Sequence, residues 1–264
     1  MKTKQPTVYY YHSFQDDFVT SPQQQTTMPA DFDYQRTQFG ARLRSWLLRP
    51  WLRIFAWGYQ HLGLHLQVKN REILRPYQHQ GIYLYSNHTQ IMGDAFLPFM
   101  VLGQQRPWII ASPANWGLPG LRRILAAGGA VPLPVGRQQF VHFQAGLRTA
   151  IQQAKAVVIY PEAHVWPYYT KIRPLPVATF HYPATTKAPV FAMTVTYQRR
   201  RWSRRPRRTV FLDGPFFADD QLSRVAQQTQ LRDQVAQAMA RRTQANHYDE
   251  YQYRAATNRK EGGS

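Results

Sequence analysis

The sequence has no cysteine at all. That absence excludes disulfides, thiolate metal sites and a cysteine nucleophile, and it fits a reducing compartment. Acidic residues are scarce, with 14 Asp and Glu against 33 Lys and Arg and a formal net charge of +19. A field of that sign attracts polyanions: nucleic acid, an anionic membrane surface or phosphorylated substrates. Charge alone does not choose among them. Long apolar runs are missing too. No uncharged apolar stretch reaches the roughly 18 residues of a spanning helix. The opening Met1-Lys2-Thr3-Lys4-Gln5-Pro6-Thr7 lacks the apolar core of a secretory signal. An integral membrane protein of the ordinary kind is therefore not expected. What is present suffices for folding: 264 residues, 44% of them hydrophobic, can bury a substantial core near the upper size of a single α/β domain.

Residues 1–40 are polar and aromatic, with Tyr9-Tyr10-Tyr11 and Gln23-Gln24-Gln25, and read as an arm that is extended or packs over the body. Residues 41–66 read as largely helical. Arg42, Arg49 and Arg53 share one face at 3.6 residues per turn, while Trp46, Leu47, Leu48, Trp51, Leu52, Ile54, Phe55 and Trp57 occupy much of the remainder. Pro50 either starts the main helix or kinks a longer one. Tryptophan, leucine and arginine on one amphipathic helix describe something that lies in a bilayer interface, although a helix packed on its own domain gives the same pattern.

From 67 to 245, strand-like runs alternate with helical ones: strands at 81–85, 108–111 and 157–160, with helices at 94–102 and 138–155. Two further strands, 188–197 and 209–212, flank an arginine-rich hairpin tip containing Trp202. A last helix with Leu231, Val235, Ala238 and Met239 on one face is expected to be capped by Asp219-Asp220. Interleaving of this kind predicts a single α/β domain with a mixed, largely parallel central sheet flanked by helices, preceded by amphipathic membrane-surface helices. Residues 246–264 read as a polar, loosely ordered tail, with Gly262-Gly263-Ser264 at its end.

Two strand ends carry reactive residues, where open α/β sheets tend to place their chemistry. The first is Ser86-Asn87-His88, followed by a turn and Asp94; the second is Tyr160-Pro161-Glu162-Ala163-His164. A neutral histidine can deprotonate a hydroxyl, and a carboxylate beside it fixes the tautomer and stabilises the imidazolium. On one continuous helix His88 and Asp94 would point about 240° apart, so a turn must fold Asp94 back. Gly93 offers the backbone freedom for it. A satisfied loop histidine and a helix-capping aspartate remain an equally open reading of these two residues. Glu162 could cap the next turn, and Arg137 could bind an anionic substrate or be one more surface arginine. His61 and His65 have metal-ligand spacing if helical, but lack a third ligand and read as interface polarity; no metal is expected.

Together, Asn87-His88 with Asp94, Gly129-Ala130-Val131 leading to Arg137, Tyr160-Pro161-Glu162 and Ala188-Pro189-Val190 resemble the four ordered motifs of the glycerolipid acyltransferases. The nearest branch is the lysophosphatidate (1-acylglycerol-3-phosphate) acyltransferases. The resemblance runs from about Arg42 to Tyr197 and implies a pair of N-terminal membrane-surface helices before the αβ domain. It also implies His88 as general base, Asp94 as its orienting acid, and Arg137 and Glu162 as binders of a phosphorylated lipid acceptor. Asn87 and His164, inside two of the blocks, are further candidate substrate contacts. Three departures stand out. Five residues separate His88 from Asp94 where four are usual, a spacing also found in some bacterial members. Ala163-His164 replaces the usual Gly-Thr, and two extra residues surround Pro134. The last two bear on the acceptor rather than on the reaction class.

The implied reaction needs no cofactor and no metal, with acyl-CoA or an acyl carrier protein as the co-substrate thioester donor. The implied setting is peripheral, on an anionic membrane surface at the cytoplasmic face. The alternatives are a nucleic-acid-binding protein, with the arginine tip and Trp202 as a stacking platform, and a catalytically inactive lipid-binding relative. The first lacks any recognisable nucleic-acid module, so no nucleic acid is expected as a partner.

Overall fold

The computed structural model describes residues 7–19, 26–35, 37–117, 121–201 and 203–256. The glutamine run 23–25, Trp202 and residues 262–264 lie outside them. The core is a sheet of seven strands. In chain order these are β2 (Leu66–Lys69), β3 (Ile82–Ser86), β4 (Pro107–Ala111), β5 (Ala130–Pro132), β6 (Ala156–Ile159), β7 (Val190–Arg200) and β8 (Ser203–Phe216). In space they run β2-β8-β7-β3-β6-β4-β5. The strands from β7 across to β5 are mutually parallel, whereas β8 pairs antiparallel with β7 and parallel with β2. The result is the mixed, largely parallel sheet expected of the sequence.

Both faces of the sheet are covered, so its central strands are apolar throughout rather than alternating with polar residues. Period-2 alternation instead divides the side chains between two cores. Ile82, Leu84, Val158, Met193 and Val195 face one side, against Ala56, Leu97, Phe99 and Val101. These last belong to α1 (Phe39–Gly58) and α2 (Gly93–Val101). Tyr83, Tyr85, Val157, Ile159, Val190 and Ala192 face the other side. There they meet Phe143, Leu147 and Ala150 of α4 (Arg137–Gln152), and Leu231, Val235, Ala238 and Met239 of α6 (Arg224–Thr243). The short α3 (Leu121–Gly128) and α5 (His181–Thr186) complete the layers. Gly129, between α3 and β5, has φ 94°, and a Cβ there would stand 2.2 Å from the Pro107 carbonyl oxygen. Only glycine meets both conditions.

Several expectations are corrected. In place of a pair of N-terminal helices the described residues show one, α1, which runs through Pro50 without interruption and then widens into a single π turn, Tyr59–Gly63. The Leu64 amide bonds the Tyr59 carbonyl at 3.0 Å, five residues back. His65 lies beyond that turn with φ 51°, so it does not share a regular helix with His61, whose ring packs instead on Trp57. The arginines of 199–208 are not a loop: β7 and β8 continue through them almost to the hairpin turn. Asp219 and Asp220 do not cap α6; the Ser223 hydroxyl does, accepting from the Ala226 amide. Part of the supposed loose tail is ordered. Its β9 (Tyr251–Ala255) pairs in parallel with β1 (Thr7–Tyr11) from the arm.

Candidate active site

β3 and β6 are neighbours, so the two reactive strand ends lie side by side at the carboxyl edge of the sheet. Asn87 leaves β3 tied to β7: its Nδ2 donates to the Val195 carbonyl at 3.0 Å, and its Oδ1 accepts from the Val195 amide at 2.8 Å. Each polar atom of the buried amide bonds the backbone, so Asn87 positions the strand end.

The turn after Asn87 wraps around Asp94. The Asp94 Oδ2 accepts from the Thr89 amide at 2.9 Å and the Gln90 amide at 3.0 Å, and Oδ1 accepts from Gln90 Nε2 at 3.1 Å. Oδ2 also lies 2.7 Å from His88 Nδ1. The five intervening residues close into this cradle, which brings the two side chains together. Gly93 serves it by space and not by an unusual backbone angle: a Cβ there would stand 2.3 Å from Gln90 Oε1. Gln60, in the π turn, donates to the Gly93 carbonyl at 2.6 Å and so anchors α1 to the start of α2. Because a carboxylate only accepts, Nδ1 of His88 carries the proton and the lone pair sits on Nε2. The Asp94 side chain is 2% exposed and that of His88 21%, so the ring alone reaches solvent. Behind it lies Tyr160, 4.6 Å between ring centroids, whose hydroxyl donates to the Asp94 carbonyl at 2.6 Å. Burial, and secondarily the charge of Asp94, push the Tyr160 hydroxyl well above its ordinary pKa, so it stays a donor.

Glu162 holds the other side of His88. Its Oε2 accepts from the His88 backbone amide at 3.0 Å; its Oε1 accepts from the Arg173 amide at 2.9 Å; and Arg173 Nη2 lies 3.1 Å from Oε2. Both side chains of this ion pair are essentially inaccessible. Glu162 is thus engaged on every side by protein, and the acceptor-binding role that the resemblance implied for it is replaced by a scaffolding one. Arg173 also donates to the carbonyls of His164 and Phe14 and stacks 4.8 Å over the Trp166 ring. The loop between them pairs with the histidine segment: Trp166 N donates to His88 O at 3.1 Å and Tyr168 N to Thr89 O at 3.0 Å. Ala163, where the resembled motif has glycine, sits at φ 61°, a conformation that glycine would adopt without strain.

The arm and the tail close over this loop. Trp166 is fully buried among Tyr11, Phe14, Phe18 and Tyr253, its Nε1 donates to the Asp16 carbonyl, and the Tyr253 hydroxyl donates to Pro167 O. His164 turns toward the arm, with Nδ1 3.3 Å from Asp17 Oδ2. Arg137 begins α4 just beyond β5 and is exposed. It stands on the same edge of the sheet, three strand positions from β3, which is about 14 Å at 4.8 Å per strand. Of the six predicted residues, then, His88, Asp94 and Glu162 form one hydrogen-bonded group, Asn87 adjoins it while bonded to Val195, His164 flanks it, and Arg137 stands apart. Arg173 was missed: it lies eleven residues past Glu162 in an irregular loop, with no motif or periodicity to mark it. Tyr160 could have been found, since it immediately precedes Pro161-Glu162.

No protein-family profile matches the chain, and no curated protein matches it by sequence. Among solved structures it is similar to the 1-acyl-sn-glycerophosphate (LPA) acyltransferase of Thermotoga maritima, with a TM-score of 0.56 at 14% identity. The likeness covers 83% of this chain and 88% of the other. It is a likeness of fold. The layered α/β architecture that frames the His88 group is shared with that enzyme.

Proposed function

We propose that the chain is an O-acyltransferase that moves a fatty acyl group from a thioester, acyl-CoA or an acyl carrier protein, to the free hydroxyl of a lysophospholipid such as 1-acylglycerol-3-phosphate. The observation that carries this is the 2.7 Å contact of His88 Nδ1 with buried Asp94, which leaves the lone pair on Nε2 of a partly exposed ring at the edge of the sheet. The fold likeness to an acyltransferase supports the same reading. Nε2 takes the proton from the acceptor hydroxyl as its oxygen attacks the thioester carbonyl. The tetrahedral intermediate collapses by breaking the C–S bond, and the imidazolium returns the proton to the departing thiolate. Ester and free thiol are the products, and Asp94 stabilises the imidazolium in between.

Arg137, exposed on the same edge, would meet the acceptor phosphate, since Glu162 is occupied by Arg173. The lipid substrates are reached through α1. Phe39, Leu43, Trp46, Leu47, Trp51, Ile54 and Phe55 form a stripe along its outer face; Trp46 is 70% and Trp51 71% exposed. No helix among the described residues is long and apolar enough to cross a membrane, so this stripe would lie in the interface rather than span it.

The test is purified protein with an acyl thioester and a panel of lysophospholipids and glycerol phosphate, read by thiol release and lipid mass spectrometry. Turnover with lysophosphatidate is expected, and His88→Ala should lower it by about a thousandfold or more while the protein stays folded. Full activity in His88→Ala would defeat the mechanism. Inactivity across the panel would defeat the substrate class.

A further inference from the structure

Arg49 occupies an unusual place on α1. It falls on the same line of the helix as Ala56, seven residues on and completely buried, so its side chain starts toward the body. Its Nε is shielded from solvent and has no hydrogen-bond partner. Arg53 follows one turn later, and Arg106, fixed at the entrance to β4 by the bond from the Ala156 amide to its carbonyl, comes from the body. None of the three makes an ion pair among the described residues. A half-buried guanidinium with no counter-charge among the described residues is costly unless something anionic completes it. Burial first, then the charges of Arg106 and Arg53, lower the Arg49 pKa.

The position says which anion. At 100° per residue Arg53 lies about 20° and Arg49 about 60° around the helix from Trp46, on the side away from Trp51. The arginines therefore run along one border of the exposed apolar stripe. A helix that lies in a bilayer buries its apolar face to about 5–10 Å, which puts that border at the depth of the headgroup phosphates. Planar guanidiniums hold phosphate oxygens in a fork, a geometry that a loose counter-ion cloud does not need. Gln60 marks the catalytic end of α1 through Gly93. Arg49 is eleven residues upstream, about 16 Å along the axis, so this is not the acceptor site.

We propose that Arg49, Arg53 and Arg106 form a discrete binding site for the phosphate of an anionic phospholipid headgroup, separate from the His88 centre. It rests on the reading of α1 as an interfacial helix and adds a saturable, headgroup-selective site to it. The test uses the full chain and its variants with phosphatidylcholine vesicles, with and without phosphatidylglycerol, by co-sedimentation.

Arg49→Gln combined with Arg53→Gln should weaken binding to phosphatidylglycerol vesicles by about tenfold or more, while removal of two hairpin arginines, Arg205→Gln with Arg207→Gln, changes it less than about twofold. Arg49→Lys, which keeps the charge and loses the fork, should fall with the first pair. Equal losses in both pairs would mean smeared charge and overturn the proposal. Overturning it equally would be stabilisation by inorganic phosphate or CoA that Arg49→Gln abolishes while vesicle binding is unchanged, since the site would then serve a soluble phosphate. Acyl transfer in detergent micelles is read in parallel. Should transfer be absent in the unaltered chain while headgroup selectivity depends on Arg49, the site stands and the enzymatic reading falls.

Discussion

His88 is gripped by two carboxylates in different ways. Asp94 holds the ring: it comes from six residues away, and a single turn closes around it. Glu162 holds the backbone: it comes from the next strand, and needs a buried arginine and a cover of aromatic residues from both the arm and the tail to stay in place. The first grip adjusts the chemistry of the imidazole. The second fixes where the imidazole is. Local sequence can supply the one, whereas the other requires the whole fold.

The two can be separated by breaking each in turn. Asp94→Asn should give the largest loss of activity, on the order of 10³–10⁴-fold, because the uncharged amide no longer stabilises the imidazolium. Its melting temperature should change little beside that loss. Glu162→Gln should show the opposite balance. Removing one charge from a buried pair strands the Arg173 guanidinium and costs about 3–5 kcal/mol of stability, seen as a clear fall in melting temperature. Adding Arg173→Met to Glu162→Gln should restore part of that stability, since no uncompensated charge then remains. A Glu162→Gln protein with unchanged melting temperature and activity as low as Asp94→Asn would erase the distinction and put Glu162 into the chemistry.

What the sequence made legible follows the same division. The strand ends and the helices on both faces of the sheet rest on short-range pattern, announced by continuous apolar runs and by stripes of period 3.6, whereas the His88–Asp94 pairing was one of two open readings until the resemblance favoured it. The role of Glu162 was misjudged because its partner, Arg173, lies in an irregular loop whose shape depends on Trp166 and the distant Tyr253. The pairing of β1 with β9 was invisible for a like reason: each is a short, polar-aromatic run, half-exposed, whose only strand partner among the described residues is the other. The continuation of β7 and β8 through an arginine-rich segment was hidden by composition, since Arg208, buried, packs its guanidinium over Tyr168 and Tyr197, which lie far from it in the sequence or on the facing strand.

The smallest effect is expected at the edge of the second grip. His164→Ala removes a partly exposed contact with Asp17 and should change stability by less than about 1 kcal/mol in thermal unfolding. A larger change would mean that the arm depends on this contact more than on the aromatic cover of Trp166.

The β1–β9 pairing also carries a consequence for synthesis. Ribosomes add about 5–20 residues per second, so Thr7–Tyr11 emerges on the order of tens of seconds before Tyr251–Ala255 exists to receive it. During that interval the central sheet can form, while Trp166 and the loop around Arg173 lack their lid. His88 thus gains its final support only when nearly the whole chain has been made, and an interrupted translation product would carry the His–Asp pair without the frame that holds it.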